Sequence, residues 1–234
     1  MEFMLDTINI EKISYYQSIL PLSGVTSNPS IIKKEGKIDL FAHLKEIKQL
    51  IGKASLHVQV VRETTEEILT DAQVIMDHLG KDIFIKVPVN EPGLAAIKQL
   101  KAKGAYVTAT AIYSEMQGYL AIAAGADYVA PYYNRMENLN IDAVAIIKAL
   151  AMEIERTQSQ SKILAASFKN VAQVNHACRQ GAHSITASPD IFAQVFGMPS
   201  IHKAVTDFRK DWEETFGVKD VKALGATGAI SPTK

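Results

Sequence analysis

The first residue whose type and setting could do chemistry is a lysine in a costly place. In Ile83-Phe84-Ile85-Lys86-Val87-Pro88 it interrupts an apolar, β-branched run that otherwise reads as a buried strand. Taking an ammonium out of water is expensive, so Lys86 is ion-paired, snorkels to solvent along its stem, or is an amine of lowered pKa. The last option is a nucleophile: a desolvated lysine attacks a carbonyl, forms a Schiff base and lets a neighbouring carbon–carbon bond break or form. Period-two alternation along the other apolar runs sets more polar groups at strand ends, namely Asp6, Gln59 beside His57, Thr110 above Thr108, Tyr132 above Ala130 and Tyr128, and Ser167. Six strands delivering a polar group to one rim around a buried lysine point to an active site.

Such groups need elements to position them. Strand candidates occupy residues 3–6, 24–27, 56–61, 83–87, 106–110, 128–132, 162–167 and 184–187. Helical periodicity is clearest over 39–50, 66–78, 92–102, 116–124, 141–154 and 171–180. Thr64 with Glu67 and Ser114 with Gln117 have capping-box spacing, Ser188-Pro189 places a cap before a first-turn proline, and Gly104, Gly125 and Gly181 each close a helix. Eight βα repeats in 234 residues predict an α/β fold, a (β/α)8 TIM barrel over residues 1–200, with a doubly wound sheet as the alternative. The absence of G-x-G-x-x-G after the first strand weakens that alternative. An additional C-terminal amphipathic helix is expected over 201–216, carrying Val205, Phe208, Trp212 and Phe216, to cap the barrel or pack on a neighbouring subunit. Residues 217–234 read as a flexible tail.

Composition narrows the function. With 25 basic and 25 acidic residues the chain has no net field to steer nucleic acid or an anionic membrane, so any anion site must be local. One cysteine, Cys178, and neither a signal-like start nor a long apolar run are the pattern expected of a soluble cytoplasmic protein. Six histidines without metal-ligand spacing, no H-E-x-x-H and no cysteine pair leave no metal site to expect, and no G-x-S-x-G supports acyl transfer. Each rim residue also has a plain reading. Asn28-Pro29 has the form of a helix cap, Thr110 and Ser167 could bond backbone at strand ends, and Tyr132 could be a core aromatic. Arg135, just past the sixth strand, suits a phosphate, as does Ser167-Phe168-Lys169-Asn170 leading into a helix N-terminus.

Taken together these segments resemble the transaldolase superfamily of Schiff-base (class I) aldolases. The likeness runs through Phe3-Met4-Leu5-Asp6-Thr7, Gly24-Val25-Thr26-Ser27-Asn28-Pro29-Ser30, Ile85-Lys86-Val87-Pro88, Thr108-Ala109-Thr110-Ala111-Ile112-Tyr113, Ala124-Gly125-Ala126-Asp127-Tyr128-Val129-Ala130-Pro131-Tyr132 and Leu164-Ala165-Ala166-Ser167-Phe168-Lys169. It implies Lys86 as the imine-forming residue, with Tyr132, Gln59, Thr110 and Asp6 catalytic and Asn28, Thr26, Ser167, Arg135 and Lys169 binding substrate. Gln59 and Tyr132 are similar to the fructose 6-phosphate aldolase branch, where transaldolases carry glutamate and phenylalanine. The implied reaction is reversible cleavage of fructose 6-phosphate to dihydroxyacetone and glyceraldehyde 3-phosphate, without cofactor or metal. Transfer of the dihydroxyacetone unit between phosphosugars is the alternative, and a non-catalytic sugar-phosphate binding protein a more distant one. The resemblance also implies a homo-oligomer, in that branch a ring-forming decamer built of pentamers.

Overall fold

The structure is a computed structural model that describes residues 1–226. Eight parallel strands pair in chain order and close on themselves: β1 (Glu2–Asp6), β2 (Leu22–Thr26), β3 (Ser55–Gln59), β4 (Phe84–Pro88), β5 (Tyr106–Ile112), β6 (Tyr128–Pro131), β7 (Lys162–Ala165) and β8 (Ser184–Ala187). The expected (β/α)8 barrel is the observed fold. Helices α1 (Ile10–Gln17), α2 (Pro29–Glu35), α3 (Leu40–Ile51), α4 (Thr65–Leu79), α5 (Glu91–Ala102), α6 (Glu115–Ala123), α7 (Tyr133–Asn138), α8 (Ala143–Thr157), α9 (Val171–Arg179) and α10 (Pro189–Phe196) fill the intervals. The chain divides into two compact units, the first ending at Phe192 and the second starting at Ala193; α11 (Pro199–Phe216) and α12 (Val221–Ala226) belong to the second.

Alternation along the strands separates two cores. Outward-facing Leu5, Val25, Val58, Ile85, Val107 and Ile163 join the helices in one large apolar cluster. Inside the barrel, Met4, Tyr128, Ala130 and Leu164 form a smaller one with Phe84 against it. The strands are therefore covered on both faces, as parallel strands require. Thr64 and Glu67 form the full capping box of α4. Ser114 caps α6, but the Gln117 side chain turns to the Tyr113 N–H and the Val89 carbonyl instead of closing the box. Gly104, Gly125 and Gly181 take φ of 76°, 81° and 95° at the ends of α5, α6 and α9.

Several boundaries differ from expectation, each with a local cause. β5 runs on to Ile112 through a bulge where Ala111 takes φ 56°, so Thr110 is not its last residue. β7 stops at Ala165 because Ser167 adopts the left-handed conformation at φ 64°. Tyr132 lies just beyond β6, bridging Ala166 and preceding α7. Within the expected 217–234 tail, α12 forms over Val221–Ala226; residues 227–234 lie outside the described residues. Among the described residues no helix is long and apolar enough to cross a membrane.

Candidate active site

Lys86 lies inside β4, in register with Gln59 of β3 on one side and Thr108 of β5 on the other. It is 4% exposed, and its Nζ donates to the Ser27 backbone carbonyl at 2.8 Å. That partner is neutral, so burial dominates and lowers the amine's pKa, while the Asp6 carboxylate acts in the opposite direction. The sequence left ion pairing, snorkelling and a lowered pKa open; the lysine is buried and its hydrogen bond is to backbone.

Asp6 ends β1, and its Oδ1 accepts from Thr26 Oγ1 at 2.6 Å; Thr26 is in turn 2.6 Å from Thr186 Oγ1, which acts as donor because Thr26 has spent its proton. Thr26 is wholly buried, and its hydroxyl is engaged by Asp6 and Thr186. Desolvation raises the Asp6 pKa, opposed by the charge of Lys86, the Thr26 bond and the charges of Lys34 and Arg135. Lys34 of α2 thus belongs to the electrostatic surroundings of the site, which no strand pattern could reveal.

On the far side, Thr110 Oγ1 donates to the Tyr132 hydroxyl at 2.8 Å. With its oxygen engaged as acceptor, Tyr132 keeps its own proton to give. Burial raises its pKa, so the phenol remains protonated across the neutral range. The Arg135 guanidinium lies 4.8 Å from the Tyr132 ring centroid and donates to the Tyr113 hydroxyl at 3.3 Å. Tyr113 packs edge-on against Tyr132 with centroids 5.8 Å apart, and the strand-end pattern misses it because it follows the last residue of β5.

Gln59 Oε1 is buried without a hydrogen-bond partner. A buried amide oxygen left unpaired is costly, so the position calls for a donor from outside the protein, such as water or a substrate hydroxyl. Below Lys86 runs a polar chain that the sequence did not disclose. Ser55 Oγ donates to the Ser23 carbonyl and therefore accepts from His57 Nε2, while His57 Nδ1 accepts from Thr108 Oγ1 at 2.8 Å. Desolvation, then the charge of Lys86, pushes the His57 pKa well below its ordinary value, which keeps the ring neutral.

The remaining expected residues stand farther out. Asn28 is the helix cap that its neighbour Pro29 implied: its Oδ1 accepts from the Ile31 N–H at 3.1 Å, leaving its amide N–H groups for other use. Ser167 is held at the barrel end by its carbonyl, which accepts from the Asn134 N–H at 2.8 Å. Lys169 is exposed, and its backbone N–H donates to Gln173. Lys86, Asp6, Thr110, Tyr132 and Arg135 are thus linked by bonds, register or electrostatic influence, whereas Asn28 lies on the loop after β2 and Ser167 and Lys169 on the loop after β7. Among the described residues no three His, Cys, Asp or Glu side chains are grouped as metal ligands.

A lysine of lowered pKa in register with an unsatisfied amide, in a barrel whose rim also carries a protonated tyrosine, has the groups needed to form an imine and move protons on it. The sequence matches the transaldolase/fructose-6-phosphate aldolase family over residues 3–224. It is 60% identical over 213 residues, 91% of this chain and 96% of the relative, to a protein described as a probable fructose-6-phosphate aldolase from Streptococcus pneumoniae (strain ATCC 700669 / Spain 23F-1). Barrel and sequence agree, and this chain belongs to the transaldolase/fructose-6-phosphate aldolase family.

Proposed function

We propose that the protein reversibly cleaves fructose 6-phosphate to dihydroxyacetone and glyceraldehyde 3-phosphate through an imine on Lys86. The observation that carries the reading is the buried Lys86 amine, bonded to a carbonyl and lowered in pKa, within a polar rim. In cleavage the neutral amine adds to the C2 ketone and water leaves to give the imine. The C4 hydroxyl loses its proton, the C3–C4 bond breaks, its electron pair passes into the enamine, and glyceraldehyde 3-phosphate departs. Protonation of C3 and addition of water then release dihydroxyacetone and restore the amine. Tyr132 exchanges these protons, through a water that fills the vacant acceptor position at Gln59 Oε1. Asp6 and Asn28 hold donor hydroxyls, and Arg135, Ser167 and Lys169 take the phosphate.

Gln59 cannot titrate, and Tyr132 supplies a hydroxyl in its place, which supports release of the donor fragment over its transfer. Incubation with fructose 6-phosphate alone decides this. Free dihydroxyacetone is expected to accumulate over many turnovers; release stopping at one equivalent or less per site would make the protein a transaldolase. The same proposal includes a homo-oligomer. Val205 and Phe208 of α11 are 62% and 70% exposed, an apolar stripe that a second copy of the chain would cover. Sedimentation at micromolar concentration is expected to show a multiple of 25.6 kDa, and a lone 25.6 kDa species removes that part.

A further inference from the structure

We propose that Gln173 is a positioning residue that holds the two phosphate-binding elements at a fixed separation and so sets the preference for a phosphorylated acceptor. The inference rests on the phosphate role given above to Arg135 and Ser167. Gln173 lies on α9, is 7% exposed, and neither Arg135 nor Ser167 is on its element. Its Oε1 accepts from the Lys169 N–H at 2.7 Å, its Nε2 donates to Asn134 Oδ1 at 3.0 Å and to Glu137 Oε2 at 2.5 Å, and Asn170 caps its own N–H at 2.9 Å. One buried amide therefore ties the loop after β7 to α7, the helix that carries Arg135.

α7 depends on such ties. It has six residues and no side-chain cap, too short to be helical unaided. Its first two N–H groups donate to the Ala166 and Ser167 carbonyls, both at 2.8 Å. Ser167 itself holds a left-handed φ of 64°, a conformation that persists only where the surroundings over-determine it. The Gln173 amide completes that frame, with acceptor toward the loop and donors toward α7. Releasing it lets Arg135 and Ser167 drift apart while β4, which carries Lys86, is untouched.

The test is steady-state aldol addition with dihydroxyacetone as donor and either glyceraldehyde 3-phosphate or glyceraldehyde as acceptor. Gln173→Glu keeps the acceptor for Lys169 but loses both donors and sets a carboxylate against Glu137. Its KM for the phosphorylated acceptor is expected to rise about ten-fold, while kcat and the KM for glyceraldehyde change less than about two-fold. In the double variant with Glu137→Gln the donor and acceptor are exchanged, and the KM for the phosphorylated acceptor is expected to return to within about three-fold of the original. An unchanged KM ratio in Gln173→Glu, an equal loss with both acceptors, or no recovery in the double variant overturns the clamp. If Gln173→Glu does not fold, Asn134→Ala, which removes one of the bonds, is expected to raise the same ratio about three-fold; no change there also overturns it. An unmutated protein that does not prefer the phosphorylated acceptor overturns the phosphate reading itself, and the clamp with it.

Discussion

At the residue scale the account turns on which proton Lys86 carries. The reactive amine is the neutral form, and burial holds its pKa below the ordinary 10.5, opposed by Asp6. The rate of imine formation should therefore rise with pH through a limb centred below 10.5. Burial acts in the opposite direction on Tyr132, raising its pKa, so the phenol keeps its proton across the neutral range. The sign of the Asp6 contribution gives a sharper expectation. Its carboxylate favours the ammonium, so Asp6→Asn should move the limb to lower pH even as kcat falls through loss of a substrate contact. A limb that moves to higher pH, or stays put, contradicts the electrostatics described. Much of this was legible, since Lys86, Asp6, Thr110 and Tyr132 stand out as polar residues in apolar runs. The Ser27 carbonyl was not, because a backbone acceptor leaves no mark in the side-chain pattern. Nor were the Thr26–Thr186 and His57–Thr108 bonds, whose members meet across sequence separations that no local spacing encodes.

At the element scale, the strands were readable because each buries both faces and so carries its own apolar signal. Helices α1, α2 and α7 were not. α1 buries only Ile13 and Tyr16, α2 buries none of its residues, and α7 is held by carbonyls of the next strand's loop. Their existence is a tertiary effect, which is why the Asn28 cap was one of two open readings and Tyr133-Asn134-Arg135 gave no helical period. The placement of β4 depends on a close approach by α5. A Cβ on Gly93 would overlap the Pro88 carbonyl oxygen and crowd Asn90 Oδ1, which caps α5 through the Gly93 N–H at 2.8 Å. Gly93→Ala should therefore push α5 from the end of β4 and destabilise the protein by about 1–3 kcal/mol, measured by denaturant unfolding. Stability equal to the original would mean that this contact relaxes freely and does not fix the strand carrying Lys86.

At the scale of the molecule, closure of eight strands sets polar groups from many parts of the sequence around one buried amine, and the βα rhythm predicted that closure. Rim geometry was harder to read. The bulge at Ala111 and the left-handed Ser167 depart from ideal strands, and such strained residues cluster where a site must be shaped. The surrounding fold supports them with hydrogen bonds from Gln117 and α7. All of this arrangement bears on one lysine, and the most direct test is chemical. Borohydride added with dihydroxyacetone should reduce the imine to a stable secondary amine on the peptide containing Lys86, one per chain, and Lys86→Met should abolish the adduct. No adduct, or one on any other lysine, would contradict the account.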